Sequence, residues 1–162
     1  MAVSRFLYFI ASMDEEQGLG KQNKIPWRSP SDLKRFQALT LGHTLLMGRK
    51  TWESLPRALP GRKSIICTRD EKFQAQGAEI LKDPSQILER AKVETIYVIG
   101  GQKMYEYFSP FAAKLFLSFI PGRYACDAFF PPILKENYPL EYTETLADHK
   151  FSIFVHKEIF TP

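Results

Sequence analysis

Residues 44–55 have the sequence TLLMGRKTWESL. The apolar run at residues 44–47 predicts a buried strand, and residues 51–55 predict a short helix directly after it. Gly48 forms the turn between them and is followed by Arg49, Lys50 and Thr51. Free N–H groups at a helix N-terminus attract anions. We therefore interpret this strand, glycine turn and helix as a candidate phosphate-binding unit at one edge of a sheet.

The same alternation of strand and helix extends over most of the chain. Short apolar runs predict strands at residues 6–12, 44–47, 64–68, 95–99, 114–120 and 151–160. Amphipathic segments predict helices at residues 31–40, 51–55, 85–93 and 102–108. This order is typical of an α/β domain with a largely parallel sheet. The last forty residues lose the alternation, and Phe151, Ile153 and Val155 indicate an antiparallel closing strand.

Composition limits the function classes. The chain has 162 residues, 44% of them apolar and 25% charged, so we expect one globular domain over residues 1–162. The net charge of +4 favours anionic ligands, but lysine and arginine form no block, so we expect no nucleic-acid partner. Cys67 and Cys126 lie far apart without metal-ligand spacing, so we expect reduced thiols and no metal. The apolar run at residues 6–11 is too short for a membrane span or a signal peptide, which favours a cytoplasmic protein.

Two further strand ends carry unusual residues. Gly100 and Gly101 follow the strand at residues 95–99, and Arg69 follows the strand at residues 64–68. Ligands of parallel α/β sheets bind beyond the carboxyl ends of the strands, so these residues and the Gly48 turn fit a dinucleotide. NAD-dependent enzymes place an acidic residue beside the ribose 2′-hydroxyl of the cofactor. Cations at this position instead favour a 2′-phosphate, and therefore NADPH over NADH. The fingerprint G-x-G-x-x-G is absent, so this is not the usual Rossmann motif.

A polar loop leads from Gly20 into the helix that carries Asp32. Asp32 and Phe36 are four residues apart and share a helix face, with Leu33 beside them. The residues alone leave two interpretations open. Asp32 could stabilise the helix N-terminus, with Ser29 or Ser31 as the cap, and the pattern by itself favours this. Alternatively, it is a carboxylate beside the aromatic wall of a ligand pocket.

A series of motifs in one order and spacing resembles the dihydrofolate reductases. The motifs are Gly20, Ile25-Pro26-Trp27, Asp32, Phe36, residues 47–55, residues 59–62, Ile99-Gly100-Gly101 and residues 127–131. The resemblance implies the dihydrofolate reductase-like α/β fold, with a central, mostly parallel eight-stranded sheet, an antiparallel C-terminal strand and about four helices. It also implies hydride transfer from NADPH to 7,8-dihydrofolate, which gives tetrahydrofolate for one-carbon metabolism and for thymidylate and purine synthesis.

The resemblance also implies roles for particular residues. Asp32 is similar to the family's single acid, which binds the pterin and assists its protonation. The positions similar to the family's substrate site are Ile10, Ala11, Leu33, Phe36, Leu55, Arg62, Ile99 and Ser118. The positions similar to its NADPH site are Ser12, Leu19, Gly20, Ile25, Gly48, Arg49, Lys50, Thr51, Thr68, Arg69, Ile99, Gly100, Gly101, Gln102 and Tyr105. The Gly100–Gly101 bond corresponds to one that is cis in the family. For Tyr105, ordinary helix packing is the alternative.

Some positions depart from the family pattern, and other functions stay open. Ser118 replaces the usual threonine but keeps its hydroxyl, and Cys126 replaces a glycine before Asp127. A related NADPH-dependent pyrimidine reductase of riboflavin synthesis shares the fold, and a non-catalytic NADPH- or folate-binding protein would share the site. The resemblance favours a monomeric reductase of the bacterial type that binds dihydrofolate and antifolate inhibitors, with residues 14–27 as a lid over the nicotinamide.

Overall fold

The computed structural model describes residues 3–133 and 135–159. Its strands are β1 (Ser4–Met13), β2 (Gly18–Gly20), β3 (Thr44–Gly48), β4 (Lys63–Cys67), β5 (Ala78–Leu81), β6 (Ile96–Gly100), β7 (Ala112–Phe119), β8 (Ala128–Phe129), β9 (Leu140–Thr145) and β10 (Lys150–Val155). Its α-helices are α1 (Pro30–Thr40), α2 (Arg49–Ser54), α3 (Ser85–Arg90) and α4 (Gln102–Phe108), and a short 3₁₀ helix covers Lys135–Asn137.

Eight of these strands form one sheet in the order β5-β4-β3-β6-β1-β7-β10-β9. All neighbours pair in parallel except β10, which is antiparallel to both β7 and β9. β2 and β8 form a separate two-stranded ribbon. The predicted fold is confirmed, including the antiparallel C-terminal strand.

The central strands are buried on both faces of the sheet. In β3, Leu45 and Met47 belong to one apolar cluster and Leu46 to the other, because side chains alternate along a strand. α1 covers the first cluster through Phe36, and α4 covers the second through Phe108. Burial on both faces explains why these strands appear as continuous apolar runs in the sequence. It also leaves only the strand ends free to contact a ligand.

The structure differs from the sequence prediction at several elements. The final strand ends at Val155 instead of residue 160, because residues 157–159 form a turn; residue 160 lies outside the described part of the chain. α3 ends at Arg90, three residues before the predicted end. Apolar runs did not predict β2, β5, β8 and β9. β9 is mostly exposed, β5 has only four residues, and the β2–β8 ribbon has three residues on one side and two on the other.

A buried carboxylate, Asp14, holds the loop after β1 in place. It accepts hydrogen bonds from the backbone N–H groups of Glu16 (2.9 Å), Gly18 (2.8 Å) and Tyr124 (3.0 Å), and from the thiol of Cys126. Burial disfavours the charge, but these donors outweigh burial and lower the pKa of Asp14. The carboxylate therefore connects the start of the residue 14–27 loop to the loop that follows β7.

We expect Asp14→Asn to destabilise the fold by about 1–3 kcal/mol at neutral pH, because an amide oxygen cannot replace both carboxylate oxygens toward buried donors. A carboxylate whose pKa is lowered in the folded state stabilises above its unfolded value of 3.8 and loses that stabilisation as the pH falls through the folded value. The deficit should therefore shrink in acid. Urea unfolding at several pH values measures it.

Asp127→Asn is the matched control. Asp127 is exposed, and its carboxylate accepts one backbone N–H, from Gln22. We expect this variant to stay within about 0.5 kcal/mol of the wild type. Equal effects of the two substitutions on unfolding would contradict the anchoring role of Asp14.

Candidate active site

The carboxyl ends of β1, β3, β4 and β6 meet at one edge of the sheet, because the four strands are parallel. Asp32 lies in the first turn of α1. Its Oδ1 accepts the hydroxyl hydrogen of Ser118 in β7, and its side chain is only 20% exposed. α1 therefore directs this carboxylate back toward the sheet and keeps it largely out of bulk water.

The capping interpretation is confirmed only for the backbone: Ser29 is the N-cap residue of α1 and Asp32 lies in its first turn. Ser29 has the backbone geometry of the helix N-cap, but its side chain makes no capping hydrogen bond. Both hydroxyls instead donate to Asp148, Ser29 to Oδ2 at 2.8 Å and Ser31 to Oδ1 at 2.6 Å. These hydrogen bonds fix α1 against the turn between β9 and β10, and they leave Asp32 free for the cleft.

Four of the proposed substrate residues share one apolar cluster. Ile10, Phe36, Leu55 and Ile99 all belong to or pack against the apolar cluster beneath α1. Leu33 is 58% exposed, so the first turn of α1 presents an apolar side chain to solvent beside the carboxylate. Apolar walls around a few polar groups are typical of small-molecule sites. Among the other proposed substrate residues, Ala11 packs on the opposite cluster.

Arg62 is held in a fixed orientation at the far end of α1. Its Nε and Nη2 donate to the carbonyl oxygen of Pro60 at 3.1 and 2.8 Å, and its Nη1 donates to Oγ1 of Thr40 at 3.3 Å. An oriented guanidinium suits the binding of a carboxylate.

The residues at the ends of β3 and β6 fit a dinucleotide. The Gly100–Gly101 bond is cis, as the resemblance implied. Gly100 has φ of +134°, and a Cβ built on it would lie 3.3 Å from Oγ1 of Thr51, so a side chain here would fill the space between the two helix starts. Gly48 and Gly101 are the N-caps of α2 and α4, and neither helix has a side-chain cap.

Cations lie at the same edge of the sheet as Gly48, Gly100 and Gly101, which we call the glycine cradle. Arg49, Lys50 and Arg69 are all exposed at the same edge. Arg49 donates to Asp70 at 2.8 Å and to Glu53 at 3.2 Å, and its guanidinium lies 4.8 Å from the centre of the Phe73 ring. Thr68 is already engaged, because its hydroxyl oxygen accepts the N–H of Asp70. The set of glycines and cations matches the chemistry of a phosphorylated dinucleotide.

Tyr105 is a core residue. Its side chain is 2% exposed, it packs against Phe9 and Phe130, and its hydroxyl donates to the carbonyl oxygen of Ile10 at 2.7 Å. Burial raises the pKa of this phenol. Its side chain therefore holds β1 and α4 together, in agreement with the helix-packing alternative.

The candidate lid contacts the loop after β7. The N–H of Asp127 donates to the carbonyl oxygen of Gly20 at 2.9 Å, and the N–H of Gln22 donates to the Asp127 carboxylate at 2.9 Å. The proposed lid residue Ile25 is 62% exposed, whereas Leu19 packs on the core. Gln102 accepts the N–H of Phe129, which links α4 to this loop.

Gly18 compensates for the cysteine at position 126. A Cβ built on Gly18 would lie 2.5 Å from Cβ of Cys126, so only glycine fits opposite this side chain. Cys126 departs from the family pattern, but no sequence motif pairs it with Gly18. The two residues are more than a hundred positions apart, and their contact exists only in the folded chain.

Sequence reasoning missed three polar residues behind Asp32. These are Arg35, Asp148 and His149, which lie close to Ser29 and Ser31. No sequence motif connects the β9–β10 turn with α1, because the two segments are distant in the chain.

Comparison with known proteins identifies the family. A family model described as dihydrofolate reductase matches residues 6–160. The chain belongs to the dihydrofolate reductase family. Dihydrofolate reductase from Bacillus subtilis is 36% identical over 137 residues, covering 84% of this chain and 82% of the relative. Dihydrofolate reductase type 3 from Salmonella typhimurium is 37% identical over 145 residues, covering 88% and 90%.

A solved dihydrofolate reductase has the same architecture. The enzyme from Enterococcus faecalis, complexed with NADP(H) and RAB-propyl, superposes with a TM-score of 0.89 and is 28% identical. The match covers 97% of this chain and 99% of that one. The predicted family membership is therefore confirmed.

Two other features concern the described residues. Within residues 3–133 and 135–159, no three histidine, cysteine, aspartate or glutamate side chains are grouped so that they could hold a metal ion. In the same part of the chain, no helix has both the length and the apolar character needed to cross a membrane.

We expect Ser118→Ala to lower kcat about 3- to 10-fold, because Asp32 loses a hydrogen bond that orients it. Ser118→Thr keeps the hydroxyl and should retain most of the wild-type rate. Steady-state oxidation of NADPH in the presence of dihydrofolate measures both variants. A threonine variant as slow as the alanine variant would show that the hydroxyl is not what matters at this position.

Proposed function

We infer that the chain reduces 7,8-dihydrofolate to 5,6,7,8-tetrahydrofolate with NADPH. Family membership supports the reaction, and the similar enzyme from Enterococcus faecalis, solved with NADP(H), supports the cofactor. The observation that carries the assignment is the position of Asp32. It is a mostly buried carboxylate, bonded to Ser118, on the apolar side of the sheet edge that also carries the glycine cradle.

Asp32 has the chemistry needed to bind and protonate a pterin. A carboxylate can accept two hydrogen bonds from the ring N3 and the 2-amino group at once, which fixes the orientation of the ring. The Ser118 hydroxyl on Oδ1 limits the orientations open to the carboxylate. Asp32 then holds or passes, directly or through water, the proton that reaches N5. Ile10, Phe36 and Leu55 exclude water from this side of the ring.

The glycine cradle and its cations would hold NADPH. When bound, NADPH supplies the hydride for C6 of the pterin. The N–H groups after Gly48 and Gly101 would bind phosphate oxygens, and Arg49, Lys50, Thr51, Thr68 and Arg69 would bind the remaining phosphates and the adenosine ribose. Ser12, Leu19, Gly20, Ile25, Ile99 and Gln102 would surround the nicotinamide end. Arg62 would bind the α-carboxylate of the substrate.

The assignment also implies a cellular setting. We propose that the chain acts as one domain over residues 1–162, as a cytoplasmic monomer that supplies tetrahydrofolate to one-carbon metabolism and binds antifolate inhibitors at the pterin site.

We expect Asp32→Asn to lower kcat/KM for dihydrofolate at least about 100-fold at neutral pH, because an amide cannot hold the proton. NADPH affinity, measured by quenching of protein fluorescence, should change little, since the carboxylate faces the pterin. Loss of absorbance by reduced nicotinamide measures turnover. Wild-type protein that does not oxidise NADPH with dihydrofolate would overturn the assigned reaction and favour the pyrimidine reductase or the non-catalytic alternative.

We expect the pair Arg49→Ser and Arg69→Glu to raise the Kd for NADPH about 10-fold or more and to leave the Kd for NADH nearly unchanged. Only NADPH carries the 2′-phosphate that these cations would bind. Arg5→Ser is a control, because Arg5 is exposed near the other end of β1. If the pair weakened both nucleotides equally, the 2′-phosphate would have to be bound by other residues.

A further inference from the structure

A buried histidine lies directly behind the proposed catalytic carboxylate. The side chain of His149, just before β10, is 0% exposed, and its Nε2 lies 3.8 Å from Oδ1 of Asp32. Nδ1 lies 2.9 Å from Oδ1 of Asp148, and Nε2 lies 2.7 Å from Nη1 of Arg35. The imidazole therefore contacts a cation on α1 and lies beside the carboxylate on the same helix.

The contacts of His149 determine its protonation state. A guanidinium group only donates hydrogen bonds, so Nε2 must accept from Arg35 and carries no proton. Nδ1 therefore carries the hydrogen of a neutral imidazole and donates it to Asp148. The Ser31 hydroxyl, His149 and the Ser29 hydroxyl together hold the pKa of Asp148 well below its usual range, so this acceptor is ionised.

The contacts around His149 also determine the position of the Arg35 guanidinium. Besides His149, it contacts Glu144 of β9, to which Nη2 donates at 2.5 Å, and Phe151 of β10, whose ring centre lies 4.1 Å from its guanidinium carbon. Arg35 and Asp32 are three residues apart on α1, so their side chains share a face. Nη1 of Arg35 and Oδ1 of Asp32 approach the same imidazole nitrogen, Nε2, at 2.7 and 3.8 Å.

The ionisable groups around His149 come from every element packed against it. α1 contributes Asp32 and Arg35, β9 contributes Glu144, and the turn before β10 contributes Asp148. β7 contributes the uncharged Ser118, through Asp32. The cleft that His149 lines also includes Asp14, Glu15 and Lys150; Asp14 and Glu15 accept backbone N–H groups, and Lys150 is exposed.

We propose that His149 is a positioning residue for the reaction: as a neutral, buried acceptor it holds the Arg35 guanidinium away from Asp32, so that Asp32 can keep the proton that the substrate needs. Without His149, Arg35 would lose an acceptor and would turn to the Asp32 carboxylate. A cation in contact with a carboxylate favours its ionised form. This inference rests on the proposed function, since it concerns the proton held by Asp32.

The test compares two variants that treat the Arg35 contact differently. His149→Phe keeps an aromatic ring but removes both nitrogens, whereas His149→Gln keeps an acceptor for Arg35 in a side chain that does not titrate. We expect the alkaline midpoint of the pH profile of kcat/KM for dihydrofolate to fall by about 1 pH unit in His149→Phe and to stay near the wild-type value in His149→Gln. The rate of hydride transfer in a single turnover, measured across the same pH range, checks that the chemical step is responsible.

A double variant separates this charge effect from simple structural damage. Adding Arg35→Met to His149→Phe removes the cation, so the midpoint should return toward the wild-type value even if the double variant is less stable. Thermal unfolding of each variant reports stability separately. A midpoint that does not move in His149→Phe, or that stays shifted in the double variant, would overturn the proposal. Absence of dihydrofolate turnover in the wild type would instead overturn the proposed function, so the two failures are distinguishable.

Discussion

Parallel pairing of β3, β6 and β1 is the constraint on which the site depends. These strands are buried on both faces, so their side chains serve the core and only their carboxyl ends are free for chemistry. α2 begins directly after β3 and places Arg49 and Lys50 at the same edge of the sheet where β6 ends at Gly100. A phosphorylated nucleotide can therefore meet backbone N–H groups and cations in one place, although residues 48 and 100 are distant in the chain.

Two carboxylates, the buried Asp14 and the partly exposed Asp148, are each held by several hydrogen bonds. Asp14 receives three backbone N–H groups, and Asp148 receives two serine hydroxyls and an imidazole. These carboxylates stabilise the positions of a loop and of α1, because hydrogen-bond donors compensate their negative charge. Asp32 differs from both. Among the described residues its hydrogen-bond partner is the Ser118 hydroxyl on Oδ1, which leaves the other carboxylate oxygen for a ligand.

The loop at residues 14–27 and the loop after β7 are coupled through backbone hydrogen bonds. The Asp14 carboxylate accepts the backbone N–H of Tyr124, and the Asp127 carboxylate accepts the backbone N–H of Gln22. Gly18 has no side chain, which leaves room for the side chain of Cys126. The cysteine therefore occupies space that the opposite loop leaves open. A movement of residues 14–27 would have to break these hydrogen bonds, so the stability of the loop and its motion depend on the same few atoms.

The sequence alone was sufficient to predict the fold, which the structure confirms, and to propose the main binding positions. The TLLMGRKTWESL segment, the double glycine after β6 and the motif around Asp32 are local patterns, and hydrophobic periodicity is also local, so each can be recognised without coordinates. The short or exposed strands β2, β5, β8 and β9 carry little apolar periodicity and could not be found in this way. The folded structure was needed to show that Ser29 and Ser31 bind Asp148, that Gly18 accommodates Cys126, and that Arg35 and Asp32 both approach Nε2 of His149. Each of these contacts joins segments more than a hundred residues apart, and their positions are set by how the sheet packs and not by any neighbouring residue.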